Sequence, residues 1–303
     1  MSTTSTGSSS RRSPAAPAPE GVPRSPAEVA AALRSLGVVP SRSLGQSFLT
    51  DAFAADAEAA LVGTASGEPV LEIGGGLGLL TEALLRRGLG PLTVIEKDGR
   101  LARHLLRTFP GAISVIRGDA LEAPLPRVEA AVGNLPFSVA TPILERLWAL
   151  RVPRIVALLQ REVAERLAAS PGSKSYGRLT IVGALYGSVE LFRVIPSPAF
   201  FPPPAVDGRL VVHTARAGAL PIPSLPELER VLHALFSSRR KQLGNLLPRL
   251  LASGRSPEAI ARDSGWPPDW ARRRPETLPP EAFFRLSQVL ASETDRRSAT
   301  QDD

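Results

Sequence analysis

With 303 residues, 43% of them apolar, the chain can bury the core of a medium-sized domain and a smaller companion. It contains no cysteine, which excludes disulfides, zinc–thiolate clusters and thiolate catalysis, and its three histidines (His104, His213, His233) show no ligand spacing, so no metal is expected. A net charge of +7, carried almost wholly by arginine, suits a polyanionic partner better than a neutral metabolite, and no apolar run reaches the roughly 18 residues of a membrane span, so no membrane partner is expected.

Residues 1–27 are mostly Ser, Thr, Pro, Ala and Arg. A segment this poor in large apolar side chains cannot offset the entropy of ordering, and a disordered tail is expected. Arg11 and Arg12 among serines, with no acid before Glu20, also fit an organellar transit peptide, so import stands as the alternative to a cytoplasmic location.

Residues 28–216 alternate β-branched runs with helical stretches. The runs at 70–73, 92–95, 113–116, 130–132 and 155–159 read as buried strands; those at 79–87, 101–108, 140–150 and 162–168 carry helical apolar spacing. Repeated β–α units predict an α/β fold, a mostly parallel Rossmann-like sheet with helices on both faces. Residues 179–186 and 208–213 read as further strands. From about Pro221 a proline-punctuated helical pattern predicts a small all-helical domain over 217–291, followed by a solvated tail over 292–303.

The segment Val70-Leu-Glu-Ile-Gly-Gly-Gly-Leu-Gly-Leu-Leu80 runs from a strand through glycines into a helix. Gly74, Gly76 and Gly78 permit a tight turn and close approach of a ligand to bare backbone. Taken alone, this could be a structural turn. Glu96 ends the second strand, where a carboxylate can accept both hydroxyls of an adenosine ribose, and Asp119 follows the third, where it can accept from an adenine amine. Singly each acid reads as a solvated loop residue; together, at the carboxyl ends of parallel strands, they point to a nucleoside cofactor.

Past the fourth strand stands Asn134-Leu-Pro-Phe137. An adenine N6 lone pair is delocalised into the ring and is a poor nucleophile. Asn134 Oδ1 and the Leu135 carbonyl could accept both N6 hydrogens and localise that pair, while Pro136 fixes the turn and brings no competing donor. Phe137 could stack on the base. A second aromatic source is Phe200-Phe-Pro-Pro-Pro-Ala-Val206, in which Phe200 either forms the other wall of a base pocket or belongs to a core-edge loop.

These motifs, with Gly45-Gln-Ser-Phe-Leu-Thr-Asp51, Ile95-Glu-Lys-Asp98, Gly118-Asp-Ala120, Gln160-Arg-Glu-Val-Ala-Glu-Arg-Leu167, Pro171-Gly-Ser-Lys-Ser-Tyr-Gly-Arg178 and Phe236-Ser-Ser-Arg-Arg-Lys-Gln-Leu243, occur in the order seen in ribosomal RNA adenine dimethyltransferases. The resemblance covers about residues 40–290. It implies a Rossmann-like catalytic domain, a helical C-terminal domain, S-adenosyl-L-methionine as methyl donor, and dimethylation of two adjacent adenines near the 3′ end of small-subunit rRNA by a monomer acting on the pre-ribosomal small subunit. It also implies that Ser47 and Leu49 join Gly74, Glu96, Asp119 and Asn134 at the cofactor. The chain departs from the family pattern at Ser47 (usually asparagine), Gly75 (commonly proline), Phe137 (commonly tyrosine) and Ala205 (frequently lysine).

Arg239, Arg240 and Lys241, with Arg249, Arg262 and Arg272-Arg-Arg274, give the C-terminal domain a basic character suited to phosphate contact; Arg42, Lys174 and Arg178 would extend that surface. Three other readings stand beside this one: a resistance methyltransferase acting on a large-subunit adenine, a non-catalytic assembly or transcription factor on the same fold, and a small-molecule methyltransferase.

Overall fold

A computed structural model describes residues 21–41, 45–216, 225–251 and 255–301. Helix α1 (Pro26–Ser35) starts at Ser25, whose hydroxyl accepts the Glu28 N–H, with Pro26 in the first turn. Folded chain begins before it: Val22 is buried, and Arg24 pairs with Glu82 at 2.7 Å. Of the segment expected to be a disordered tail, residues 21–27 are folded, on contacts too few to leave a periodic signal, and residues 1–20 lie outside the described residues.

Strand β1 (Phe48–Leu49) and helix α2 (Ala52–Ala60), capped by Asp51, precede the main sheet. The β–α series then follows the sequence reading closely: β2 (Val70–Ile73), α3 (Leu79–Arg86), β3 (Leu92–Glu96), α4 (Gly99–Thr108), β4 (Ile113–Arg117), β5 (Ala130–Asn134), α5 (Ala140–Ala149), β6 (Arg154–Gln160) and α6 (Arg161–Leu167). The expectation of a strand over residues 179–186 fails. That segment is α7 (Arg178–Tyr186), and the strand β7 (Gly187–Ile195) starts just after it. Because α7 is buried nearly all round, its apolar run shows no helical stripe, and a fully buried helix and strand read alike. Gly187 marks the switch: a Cβ there would lie 2.1 Å from the Thr214 carbonyl oxygen.

Strands β8 (Phe200–Phe201) and β9 (Gly208–Ala215) complete the sheets. The seven-stranded sheet runs β4-β3-β2-β5-β6-β9-β7, parallel through β6 and antiparallel at β9 and β7, while β1 and β8 form a separate two-stranded pair. The connection reverses direction between β2 and β5, so a crevice opens at the carboxyl ends of these strands.

Both faces of the sheet are covered. Leu71, Ile73, Ile155 and Ala157 pack on one side with α5 and α7; Val70, Val156 and Leu158 pack on the other with α2 and α3. The first of these cores continues without a break into the helices α8 (Leu225–Phe236), α9 (Leu243–Leu250), α10 (Pro257–Asp263) and α11 (Pro280–Gln301), through Leu228, Leu232, Leu246 and Phe283. Helix α11 runs on past residue 291, where the sequence reading ends the domain, because no glycine or proline stops it.

Candidate active site

The crevice is an open cleft of about 1330 Å³, its mouth included, with the glycine turn as its floor. Gly74, Gly76 and Gly78 adopt φ of 76°, 57° and 91°, the left-handed region that side chains resist. Gly75 is needed for space: a Cβ there would lie 2.5 Å from Val94 Cγ1 and 2.8 Å from Leu105 Cδ1. The neighbours of this position have filled the room that a proline ring would take. Phe48 leans over the turn, 3.3 Å from where a Cβ on Gly76 would stand.

Glu96 lies at the carboxyl end of β3, its oxygens accepting the Gly76 N–H at 3.0 Å and the Asp98 N–H at 2.9 Å. Burial pushes its carboxyl pKa upward, and these backbone donors oppose the shift. With one donor on each oxygen, lone pairs remain for a ligand in the cleft. Asp119 accepts from Lys97 Nζ at 2.8 Å and from the Leu121 N–H at 2.9 Å; the lysine holds its carboxyl below the usual range. Both acids and Lys97 line the cleft.

Opposite them, at the end of β5, the Asn134 Nδ2–H donates to the Ser47 main-chain oxygen at 3.0 Å, which leaves Oδ1 as the end of the amide not used in that bond. The next turn closes with the Val139 N–H on the Pro136 carbonyl at 3.0 Å. Leu135 is buried, and Phe137 is half-buried with its backbone against Gly45. Gly74, Glu96, Asp119, Asn134, Leu135, Pro136 and Phe137 thus share one cleft with Ser47 and Leu49. Ser47 meets Asn134 through its main-chain oxygen, a bond that does not depend on the side chain that departs from asparagine.

Other expectations are corrected. Phe200 is only 1% exposed, packed in the core behind the sheet and paired with Leu49, so it forms no wall of the cleft. Arg178, though about 40% exposed, is already engaged by Glu229 and Glu145. Arg239 is partly spent on Glu276 and on the Lys174 carbonyl. Lys174, Arg240 and Lys241 are exposed, and their side chains make no ion pair among the described residues. Arg42 lies outside the described residues. The sequence reading missed Phe48 and Lys97 in the cleft. It also missed Glu58, which is fully buried beneath it in electrostatic contact with Glu72, on the cleft floor.

A doubly wound sheet whose switch point carries a glycine turn, a carboxylate at the end of the next strand and an Asn-Leu-Pro-Phe turn defines a Rossmann-like, S-adenosyl-L-methionine-dependent methyltransferase. Residues 40–263 match the model of the family described as ribosomal RNA adenine dimethylase, and the chain belongs to that family. Among its relatives, the ribosomal RNA small subunit methyltransferase A of Deinococcus radiodurans is 42% identical over 263 residues, covering 84% of this chain and 88% of that protein. The probable enzyme of the same name from Natronomonas pharaonis is 39% identical over 235 residues, covering 75% and 84%. In solved structures, a dimethyladenosine transferase from Plasmodium falciparum shares the fold with a TM-score of 0.68 at 24% identity, covering 79% of this chain and 95% of that one. The 23S rRNA methyltransferase ErmE has a TM-score of 0.59 at 26% identity, covering 80% and 99%.

Proposed function

We propose that the chain transfers methyl groups to the N6 atoms of two adjacent adenines near the 3′ end of small-subunit rRNA, acting as a cytoplasmic monomer on the pre-ribosomal small subunit. The orientation of Asn134 carries the reading. With Nδ2 tied to Ser47, Oδ1 is the group free to accept an N6–H, and the Leu135 carbonyl accepts the other, so the nitrogen lone pair is directed out of the ring plane. Phe137 stacks on the base and holds it face-on. S-adenosyl-L-methionine supplies a methyl group already activated on a sulfonium. Positioning and electrostatics therefore do the work, and no strongly basic side chain is required. Glu96 accepts the cofactor's ribose hydroxyls, Asp119 its adenine amine, and the glycine turn leaves room for its backbone-facing edge.

Arg240 and Lys241, exposed and without ion pairs among the described residues, contact RNA phosphates, together with the exposed Arg249, Arg272 and Arg274 of the same helical domain. Support for the small subunit comes from relatives of that name at 36–42% identity. The test is incubation with labelled cofactor and separated small- and large-subunit precursors, followed by mass-spectrometric mapping of modified adenines. Label in the large-subunit RNA alone would replace this reading with the ErmE-type one.

A further inference from the structure

The loop at residues 171–178 is stitched to the helical domain. The Gly172 N–H donates to the Glu276 carbonyl at 2.6 Å, and the buried Tyr176 donates its hydroxyl to the Leu278 carbonyl at 2.8 Å. Arg239 reaches back from the other side, with Nη1 on the Lys174 carbonyl at 3.0 Å and Nε on the Glu276 carboxylate at 3.1 Å. Arg178 closes the arrangement. It grips both oxygens of Glu229 at 2.6 Å and donates a third bond to Glu145 at 2.8 Å.

The two acids sit at informative places. Glu145 is on α5, which begins just after the Asn134–Phe137 turn; Glu229 is on α8, which leads directly into Arg239, Arg240 and Lys241. The Arg178 side chain is about 40% exposed and its partners about a third, so the arrangement is partly desolvated and, with Glu229, bidentate, the geometry in which such bonds are strong and directional. The apolar core shared by the two domains holds them together, but apolar contact has little directional preference. The angle between the domains depends on groups with fixed geometry.

We propose that Arg178 is a positioning residue for the RNA: it sets the spacing between the base cleft and the Arg240–Lys241 face, so that a backbone held on that face delivers a particular adenine to Asn134. This rests on the function proposed above, and its physical part can be tested without it. The chain has no cysteine, so spin labels can be attached cleanly at Arg103→Cys on α4 and Glu258→Cys on α10, both exposed. The expected label–label distance distribution is narrow in the parent and at least twofold broader in Arg178→Gln. It narrows again in the charge-swapped pair Arg178→Glu with Glu229→Arg made together with Glu145→Gln, where opposite charges face each other once more and Glu145 no longer repels the new carboxylate. Thermal melting checks that each variant is folded.

On small-subunit particles, Arg178→Gln should raise KM about tenfold and place methyl groups on neighbouring adenines, with cofactor affinity by calorimetry within twofold of the parent. The swapped pair should recover both. An unchanged distance distribution in folded Arg178→Gln overturns the proposal. So does a broadened distribution with KM and methyl positions unaltered. If the parent itself modifies no small-subunit RNA, the proposed function fails, and the distance measurement alone decides whether Arg178 sets the domain angle.

Discussion

The side chain of Asn134 takes its orientation from Ser47, a residue 87 positions earlier, whose main-chain oxygen accepts the Nδ2–H at 3.0 Å. The bond fixes which end of the amide faces the cleft, and it makes no use of the serine hydroxyl. Asn134→Ala should therefore reduce methyl transfer by on the order of 100-fold or more, as when one preorganised polar group is removed from an active site. RNA affinity should stay within twofold. Ser47→Ala should leave turnover nearly intact, because the carbonyl remains. Single-turnover rates for the two variants check the pair, and a large loss at Ser47→Ala would show that the hydroxyl itself matters.

Phe137 and Phe200 both look like base-stacking candidates in the sequence, yet only Phe137 lines the cleft. Phe137→Ala should abolish most activity while leaving the unfolding midpoint within a few degrees. Phe200→Ala should do the reverse of a stacking defect: removal of a fully buried ring costs about 3–5 kcal/mol of stability. Urea unfolding beside activity at low temperature separates the two. Loss of activity without loss of stability in Phe200→Ala would return that ring to the site.

What could be read from sequence was what local pattern encodes. The strand–glycine–helix segment, the acids Glu96 and Asp119 and the Asn-Leu-Pro-Phe turn each announce themselves within a few residues, and the structure brings them to one cleft. What could not be read depends on distant partners. Phe200 is drawn inward by pairing with Leu49, and Arg178 is neutralised by acids 33 and 51 positions away, so a proline-stiffened aromatic loop and a basic motif both looked solvent-facing. Helix α2 is mostly alanine, with no apolar stripe to mark a buried face, and Glu58 within it resembles any solvated acid. The helix α7 was hidden by the opposite problem, burial on every side.

The basic face makes an electrostatic prediction. Removing one cationic side chain from an RNA phosphate should lower the slope of log affinity against log salt by about 0.7–0.9. Arg240→Ala and Lys241→Ala should each do so, while Arg178→Gln should leave the slope unchanged, since that guanidinium already holds two carboxylates. Fluorescence anisotropy with a small-subunit RNA fragment at several salt concentrations measures this. An equal change in slope at Arg178 would mean that its ion pairs open to phosphate.

Beneath the cleft, Glu58 and Glu72 are fully buried, and among the described residues three of their four carboxyl oxygens have no hydrogen-bond partner within 3.5 Å; the fourth accepts the Thr81 hydroxyl at 2.7 Å. Burial first, and mutual repulsion for Glu58, push both to about 8, against 4.5 for the free group. The folded chain therefore retains protons that the unfolded chain releases between those values. This contribution to stability is fully present below about pH 4.5 and is lost as the pH rises toward 8, at about 1.4 kcal/mol per pH unit for each proton retained. His213, buried with its pKa lowered by burial, works in the opposite sense, because its neutral form is favoured in the fold and acid removes that preference. Subtracting Glu58→Gln from the parent isolates the carboxyl. The amide adds a pH-independent offset, while the difference in urea stability should tilt in favour of the variant from pH 5 to pH 8. A difference that stays flat across this range would mean that Glu58 is ionised in the fold, and that a cation outside the described contacts neutralises it.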